Sequence, residues 1–390
     1  MPEQKSDFER FVGPDRRQAP RPGWLGGTIL AIASLLFVGL FLLWPRGEAA
    51  VDLDFLGFPD DTVPGTVASS ETGPCSYAPE FECRSTVVVV AEGEHQGTEV
   101  ILELPAEPNQ PVFAVGDRLL LSVNTTQDGS VDFQFADRDR RILLLLLGLV
   151  FAATVIGLGR LKGVAALFGL AISIGVLLFF MLPAIIRGSD AVLVALVGGG
   201  VIALVTLYVA HGYNPLTHAA ALGTFAALVL TVALSWLVVA LASFTGLTSD
   251  EAWFLIAIPD LDLSGLVLAG IVLGALGALD DVTVTQASAV WEVHRADPAM
   301  GADGLFRSGI RVGRDHIVST VNTLLLAYAG ASLPLLILFT LSAQSMGVIA
   351  SSEVVAVEIV RTLVGSIGLV SAVPITTWLA ARIASSTAPR

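Results

Sequence analysis

Residues 263–291 read LSGLVLAGIVLGALGALDDVTVTQASAVW, and this stretch decides the fold class. A bilayer core about 30 Å thick is crossed by roughly 20 apolar residues of helix, so the run is long enough to span a membrane. Two adjacent acids, Asp280 and Asp281, interrupt it. Ionised side chains inside a bilayer are costly and usually carry a function. The stretch therefore predicts a membrane helix that bears functional acids.

Helical periodicity places the small and polar residues of this stretch on one stripe. At about 100° per residue, the stripe comprises Gly270, Gly274, Gly277, Asp281 and Ser288. Small residues at this spacing let another helix approach closely, so the three glycines are predicted helix-packing positions. Asp281 is then expected to face a partner helix. Asp280 points about 100° away from Asp281, so the two carboxylates are not expected to hold one metal ion together. Whether the protein binds a metal elsewhere is left open.

The whole chain of 390 residues has the composition of a membrane protein. It is 54% apolar and 14% charged, with a mean hydropathy of +0.76, whereas soluble domains are about 25% charged. Eight stretches are predicted to cross the bilayer: 24–44, 142–159, 164–186, 191–210, 219–244, 263–291, 317–341 and 354–381. The first is expected to be an uncleaved anchor, with a cleaved signal peptide as the alternative. Pro183, Pro334 and Pro374 are expected to kink their helices.

The basic residues predict the orientation of these spans. If the tail 1–23 is cytoplasmic, 13 of the 21 Lys and Arg residues fall on the cytoplasmic side. This distribution satisfies the positive-inside rule for eight spans with both ends inside. The prediction is therefore an α-helical polytopic bundle: tail 1–23, helix 24–44, an extracytoplasmic domain 45–141, a seven-helix domain 142–386 and tail 387–390.

The segment 45–141 is predicted to be a small β domain. Five short runs rich in Val, Thr, Leu and Phe are separated by turn residues: 63–67, 86–91, 98–104, 118–123 and 131–135. An OB-like barrel or a sandwich fits this size. The segment holds 18 acids and 6 bases, and so accounts for −12 of the net charge of −14. Cys75 and Cys83 both lie here, where an oxidising compartment favours a disulfide over two free thiols.

A second group of polar residues lies in the last two predicted spans. Asn322 and Thr323 share a face of the seventh helix and are expected to hydrogen-bond with the Asp281 stripe. Glu358 and Arg361 are three residues apart on the eighth helix, where opposite charges are neighbours. They are interpreted either as a structural ion pair or as a gating pair in which Arg361 exchanges partners.

Common enzyme motifs are missing from the sequence. It contains no G-x-x-x-x-G-K-[ST], H-E-x-x-H or G-x-S-x-G pattern. The expectation is a protein that is not an enzyme and needs no cofactor. The acidic balance also argues against nucleic acid as a partner, because phosphate binding needs clustered Lys and Arg.

Several motifs together resemble the YibE/F-like multi-spanning membrane proteins of bacteria. They are the run 274–286 (GALGALDDVTVTQ), 313–316 (GRDH), 322–334 (NTLLLAYAGASLP), 358–361 (EIVR), 373–374 (VP) and, in the outer domain, 115–118 (VGDR). The similarity covers roughly 140–385. It implies a multi-pass protein of the bacterial cytoplasmic membrane, and it implies no settled activity.

The functional hypothesis is a transporter driven by an ion gradient. Asp281 and Asp280 are its candidate proton or cation site, with Gln286, Asn322 and Thr323 completing a polar path. Besides the lipid bilayer, its expected partners are protons or small cations. The alternative is a non-transporting envelope or export-assisting factor whose outer domain docks a protein partner. Substrate, coupling ion and oligomeric state stay open.

Overall fold

A computed structural model describes residues 23–47, 61–125, 131–342 and 344–386 of the chain. The predicted tail 387–390, and all but Gly23 of the predicted tail 1–23, lie outside these residues. The described residues divide into two compact units, a smaller one within 52–157 and a larger one formed by the described residues before and after that range. Each unit has its own hydrophobic core.

Helices dominate the larger unit. They are α1 (Gly23–Leu43), α3 (Leu161–Val176), a π-helical turn (Leu177–Met181), α4 (Leu182–Ile186), α5 (Ala191–His211), α6 (Pro215–Ala242), α7 (Asp250–Leu255), α8 (Leu263–Ala296), α9 (Ala302–Ala331), α10 (Leu333–Leu341), α11 (Met346–Ser351) and α12 (Glu353–Ser386). One more apolar helix, α2 (Arg141–Gly159), follows the sheet of the smaller unit.

Seven helical stretches in the described chain are long and apolar enough to cross a membrane. They correspond to predicted spans one to six and eight, with ends shifted by at most five residues. An eighth span exists if α9 and α10 count as one. The chain is thus a protein with multiple membrane-capable helices, as its composition predicts.

The seventh predicted span is not one straight helix. The region 317–341 is divided between α9 and α10, which meet at an angle of 67°. Pro334 lies in the first turn of α10, where a residue without a backbone N–H is tolerated. The same proline inside a continuous helix would interrupt the backbone hydrogen bonding, so α9 ends before it. The predicted kink at Pro334 is therefore present, whereas Pro374 lies inside the continuous helix α12.

The smaller unit contains one curled antiparallel sheet rather than two facing sheets among its described strands. The strands are β1 (Asp61–Pro74), β2 (Glu82–Val90), β3 (Glu99–Pro105), β4 (Arg118–Thr125) and β5 (Val131–Arg138), in the order β3-β2-β1-β4-β5. All five predicted runs fall on these strands. Alternate residues such as Val88, Val90, Leu119 and Leu121 are buried and form the core.

The predicted disulfide between Cys75 and Cys83 is present and closes the β1–β2 hairpin. Cys83 pairs with Gly73 across the two strands, and Tyr77 in the intervening loop contacts Cys83 Sγ at 3.4 Å. Glu103 accepts hydrogen bonds from the backbone and hydroxyl of Ser76. The loop is thus held to β3 as well as to its own hairpin.

The centre of the larger unit is formed by α6, α8 and α12. Small residues fill the interfaces: Ala219, Ala220 and Ala221 of α6, Ala287 of α8, and Ala380, Ala381 and Ala384 of α12 are all essentially buried. Small side chains let helices approach closely where a bilayer offers no hydrophobic driving force between them. These three helices therefore provide the rigid frame for the polar residues described next.

Candidate functional site

The two aspartates of α8 lie in different environments, and the predicted orientation of Asp281 is wrong. Asp281 is exposed, whereas Asp280 is half-buried and faces α5. Thr206 Oγ1 donates to Asp280 Oδ2 at 3.2 Å. Asp280 Oδ1 is buried without a hydrogen-bond partner among the described residues. The carboxylate that faces the protein interior is thus Asp280.

The rotation of α8 explains this reversal. Its inward face consists of larger residues, including Ile271, Leu276, Leu279 and Val282. Large side chains make many more van der Waals contacts with neighbouring helices than glycine does, and these contacts favour burying this face. The part of the predicted packing stripe that contains Gly277 and Asp281 is consequently turned outward. Gly277 has an open surrounding, while Gly270 and Gly274 do lie against another helix, next to Arg361 and Tyr328.

A pair of buried threonines lies next to Asp280. Thr283 of α8 and Thr224 of α6 are fully buried, and their hydroxyl oxygens are 2.6 Å apart. Thr283 Oγ1 also lies 3.1 Å from the carbonyl oxygen of Asp280, and Thr224 Oγ1 lies 3.0 Å from that of Ala220. These hydroxyls connect α6 and α8 at the level of the acid.

Gln286 is buried, as expected of a polar-path residue, and joins three helices. Its Nε2 donates to Gly309 O of α9 and to Thr377 Oγ1 of α12, each at 2.7 Å. A side chain at Gly309 or Gly313 would collide with Gln286 or its neighbours, so both glycines make room for the amide. Gln286 therefore occupies a fixed position six residues, or about 1.7 turns, along α8 from Asp280.

The structure does not bring Asn322 and Thr323 into this buried group. Both are exposed, and Thr323 Oγ1 donates to Ser319 O within α9. Helix α9 packs instead through Ile317, Val321 and Leu324. The expected hydrogen bonding of the Asn322 face with the α8 interior is therefore wrong, because apolar residues determine which side of α9 is buried.

A row of buried hydroxyls on α6 and α12 was not predicted. Thr217, Thr224 and Thr231 recur every seven residues of α6, followed by Ser235, and all four are fully buried. Thr376 of α12 is also fully buried. The hydroxyls of Thr217, Ser235 and Thr376 have no hydrogen-bond partner within the described ranges. The seven-residue recurrence of threonine was the sequence signal that could have identified this face.

Glycines opposite these hydroxyls bring α6 and α12 together. A Cβ on Gly223 would collide with Thr376, and a Cβ on Gly368 would collide with Thr231. From Gly223 to Thr231 the residue numbers of α6 rise, while those of their partners on α12 fall from Thr376 to Gly368. The two helices are therefore antiparallel. Because each glycine lacks a side chain, the hydroxyl of the facing helix lies directly on its backbone.

Glu358 and Arg361 form the ion pair that their spacing predicts. Arg361 Nη1 lies 2.7 Å from Glu358 Oε1, with 27% and 26% of the two side chains exposed. The guanidinium lies 6.0 Å from the centre of the Tyr328 ring. This cluster on α9 and α12 is thus partly accessible.

The described residues offer one group with the spacing of metal ligands, Cys75, Cys83 and Glu103. Both sulfurs are joined in the disulfide, and zinc and similar metals bind thiolates. These residues therefore do not fit a metal centre.

A family model described as YibE/F-like protein matches residues 147–386, which is more than half of the chain. The matched region contains α8, α9, α12 and the polar residues described above. No curated protein and no solved structure matches the chain.

Proposed function

The chain belongs to the YibE/F-like protein family, and from that premise we propose that it is an ion-gradient-coupled transporter whose proton- or cation-binding group is Asp280. The observation that carries the proposal is the half-buried Asp280 carboxylate. Thr206 donates a hydrogen bond to one of its oxygens, and the other oxygen is buried with no partner among the residues that the structure describes.

A carboxylate in such a position is poised to bind a positive charge. Without a counter-charge, an ionised carboxylate in a poorly solvated environment is costly, and a bound proton or cation removes that cost. Thr206 keeps one oxygen oriented, while the free oxygen supplies the binding position. The adjacent Asp281 is exposed and lacks these properties, so the proposal assigns the role to Asp280 alone.

The buried hydroxyls supply polar surroundings for such a charge. Hydroxyl groups both donate and accept hydrogen bonds, so Thr224 and Thr283 can reorient as the acid loads and releases a proton. The unpartnered hydroxyls of Ser235 and Thr376 extend polar character along the interface between α6 and α12. Unpaired buried polar groups are costly unless water or an ion satisfies them.

The proposed orientation places both termini in the bacterial cytoplasm and 45–141 outside, with α9 and α10 as one bent span. With Leu263 at the outer surface, Asp280 lies about 26 Å along α8, towards the cytoplasmic end of a core about 30 Å thick. The acidic outer segment would raise the local concentration of cations at the external surface.

The test uses two neighbouring acids as a matched pair. The full chain is reconstituted in proteoliposomes, and internal pH and monovalent-cation content are followed after a pH or cation gradient is imposed. We expect Asp280→Asn to reduce flux by about tenfold or more, because the neutral amide cannot bind the charge. Asp281→Asn is expected to retain most of the wild-type flux.

Equal flux in the wild-type protein and Asp280→Asn would falsify the assignment. Wild-type vesicles that show no flux above protein-free vesicles would contradict transport itself. Only the second result would favour the alternative of an envelope or export-assisting factor, in which the helices serve as an anchor. Size-exclusion profiles of both variants establish that they are equally folded.

A further inference from the structure

A second polar cluster lies away from Asp280, where α8, α9 and α12 meet. Arg361 lies about 12 Å from the start of α12 at Glu353, at 1.5 Å per residue. Its Nη1 binds Glu358, and its guanidinium lies beside the ring of Tyr328. Glycines 270 and 274 of α8 lie against these two side chains. The cluster thus combines one acid, one base and one phenol beside two glycines of α8.

Two hydrogen-bond donors of this cluster are unsatisfied. Arg361 Nε and Tyr328 Oη are both buried and have no partner in the described part of the chain. Glu358 occupies only Nη1. The Nε–Nη2 edge of the guanidinium is the edge that binds both oxygens of a carboxylate or phosphate side by side. Leaving a buried donor unpaired is energetically unfavourable, so a ligand at this edge would be stabilised.

The Arg361 guanidinium and the Tyr328 hydroxyl lie close to the backbone of α8 because residues 270 and 274 are glycines. A Cβ at Gly270 would lie 3.5 Å from Arg361 Nη2, and one at Gly274 would collide with the Tyr328 hydroxyl. Gly274 is itself exposed, and about a quarter of the Arg361 side chain is exposed. The Arg361 side chain therefore reaches the surface of this unit, and the buried Nε and Tyr328 hydroxyl belong to the same cluster.

The break between α9 and α10 lies three residues after Tyr328. The two helices are bent by 67° there, and Ser332 separates them. Interrupted membrane helices commonly border binding sites, because irregular backbone at membrane depth is tolerated where it lines a cavity. The Arg361–Tyr328 cluster lies next to such an interruption.

We propose that Arg361 and Tyr328 bind an oxyanion, a carboxylate or phosphate group, through Arg361 Nε and Nη2 and the Tyr328 hydroxyl. Glu358 neutralises and orients the guanidinium through Nη1. The group belongs either to a dissolved molecule or to the headgroup of an anionic lipid, and both present the same oxygens. The proposal is independent of transport at Asp280, because binding is measured without a gradient.

The experiment measures binding to the purified full-length chain in detergent. Sodium acetate and inorganic phosphate are compared with sodium chloride at equal ionic strength by thermal unfolding. Phosphatidylglycerol is compared with phosphatidylcholine by native mass spectrometry. The variants are Arg361→Lys, which keeps the charge but loses the planar edge, and Tyr328→Phe, which loses only the hydroxyl. Arg382→Lys, at an exposed arginine of the same helix, is the matched control.

We expect at least one oxyanion probe to bind to the wild-type chain and to the control. Its affinity should fall about tenfold in Arg361→Lys and about fivefold in Tyr328→Phe. Binding of acetate or phosphate assigns the site to a dissolved molecule, and binding of phosphatidylglycerol alone assigns it to a lipid headgroup. The proposal is overturned if no oxyanion exceeds its reference, or if both variants bind as the wild type does. If Arg361→Lys does not fold, the oxyanion affinity of Tyr328→Phe alone tests the proposal.

Discussion

Gln286 Nε2 donates a hydrogen bond to Thr377 Oγ1 at 2.7 Å, across the interface between α8 and α12. Thr377 in turn donates to Val373 O of its own helix, and the second amide hydrogen of Gln286 binds Gly309 O of α9. One side chain thus holds three helices together next to the residues proposed for ion binding. Its removal would leave the Gly309 carbonyl without this donor.

Replacing Gln286 by Ala should destabilise the membrane unit. The loss of two buried hydrogen bonds, with the cavity left behind, is expected to cost about 2–4 kcal/mol. The measurement is thermal unfolding of the purified protein in detergent. The control is Gln344→Ala at an exposed position, which should leave the unfolding temperature nearly unchanged. Similar unfolding temperatures for the two variants would show that Gln286 does not connect the helices.

The close approach of α6 to α12 makes a second prediction. At Gly223 a new Cβ would collide with Thr376, so Gly223→Ala should separate the helices and cost about 1–3 kcal/mol. Gly277→Ala is the matched control, because nothing lies within 4 Å of a Cβ there. Alanine favours helix over glycine by about 1 kcal/mol, so this control should be neutral or slightly stabilising. Unfolding in denaturant compares the two, and an equal change in both would contradict the packing.

Glu353 connects the start of α12 to the loop after α6. Its carboxylate accepts from Thr245 N at 2.6 Å, Thr245 Oγ1 at 2.9 Å and Gly246 N at 2.7 Å. Glu353→Ala should free both amides, raising their hydrogen exchange by about tenfold or more, since hydrogen bonds to charged groups contribute about 1.5–3 kcal/mol. Hydrogen–deuterium exchange followed by mass spectrometry reports the peptide 243–249. Exchange as slow as in the wild type would exclude this role.

The acid Asp139, just before α2, provides a prediction of pH dependence. Arg141 binds it through Nε at 2.9 Å, Nη2 at 2.8 Å and its backbone N at 3.0 Å. These hydrogen bonds lower the pKa of Asp139 from its ordinary 3.8 to about 2. Because the pKa of Asp139 is lower in the folded protein than its ordinary 3.8, the ionised carboxylate stabilises the fold at pH values above 3.8. This contribution is lost as the pH falls through about 2.

The measurement is the carboxyl ¹³C chemical shift of Asp139 against pH. We expect its midpoint near 2 in the wild type and a return towards 3.8 in Arg141→Gln, which removes the charged partner. Asp132 serves as an internal reference, because it lies on the same unit and Arg141 does not contact it. A midpoint for Asp139 that is the same in both proteins would contradict the pairing.

The comparison of Asp280 with Asp281 shows how far residue patterns could identify the site. Periodicity correctly separated the two acids by about 100°, but it could not say which one faces inward. The small and polar residues suggested that the Asp281 face is buried. In the structure the face that carries Ile271, Leu276 and Leu279 is buried instead. Which face is buried depends on the summed contacts with α5, α6 and α12, and these helices are distant in sequence.

The hydroxyl row and the Arg361–Tyr328 cluster illustrate the same limit. Glu358 and Arg361 could be paired from their spacing, because the pair lies within one helix. Tyr328 belongs to a different helix, and its position beside Arg361 depends on how α9 crosses α12. Thr376 lies against Gly223 for a similar reason. Contacts within a helix follow from local geometry, and contacts between helices do not.

The sequence by itself determined the extent of seven apolar helices, the five strands, the disulfide and the ion pair of α12. Each depends on local properties: length of apolar runs, alternation of side chains, and proximity along the chain. Only the tertiary structure decided that α9 and α10 bend apart, that Asp280 rather than Asp281 faces the interior, and that Tyr328 lies beside Arg361. Those outcomes arise from packing among helices far apart in sequence, where close contact of many small surfaces sets the rotation of each helix.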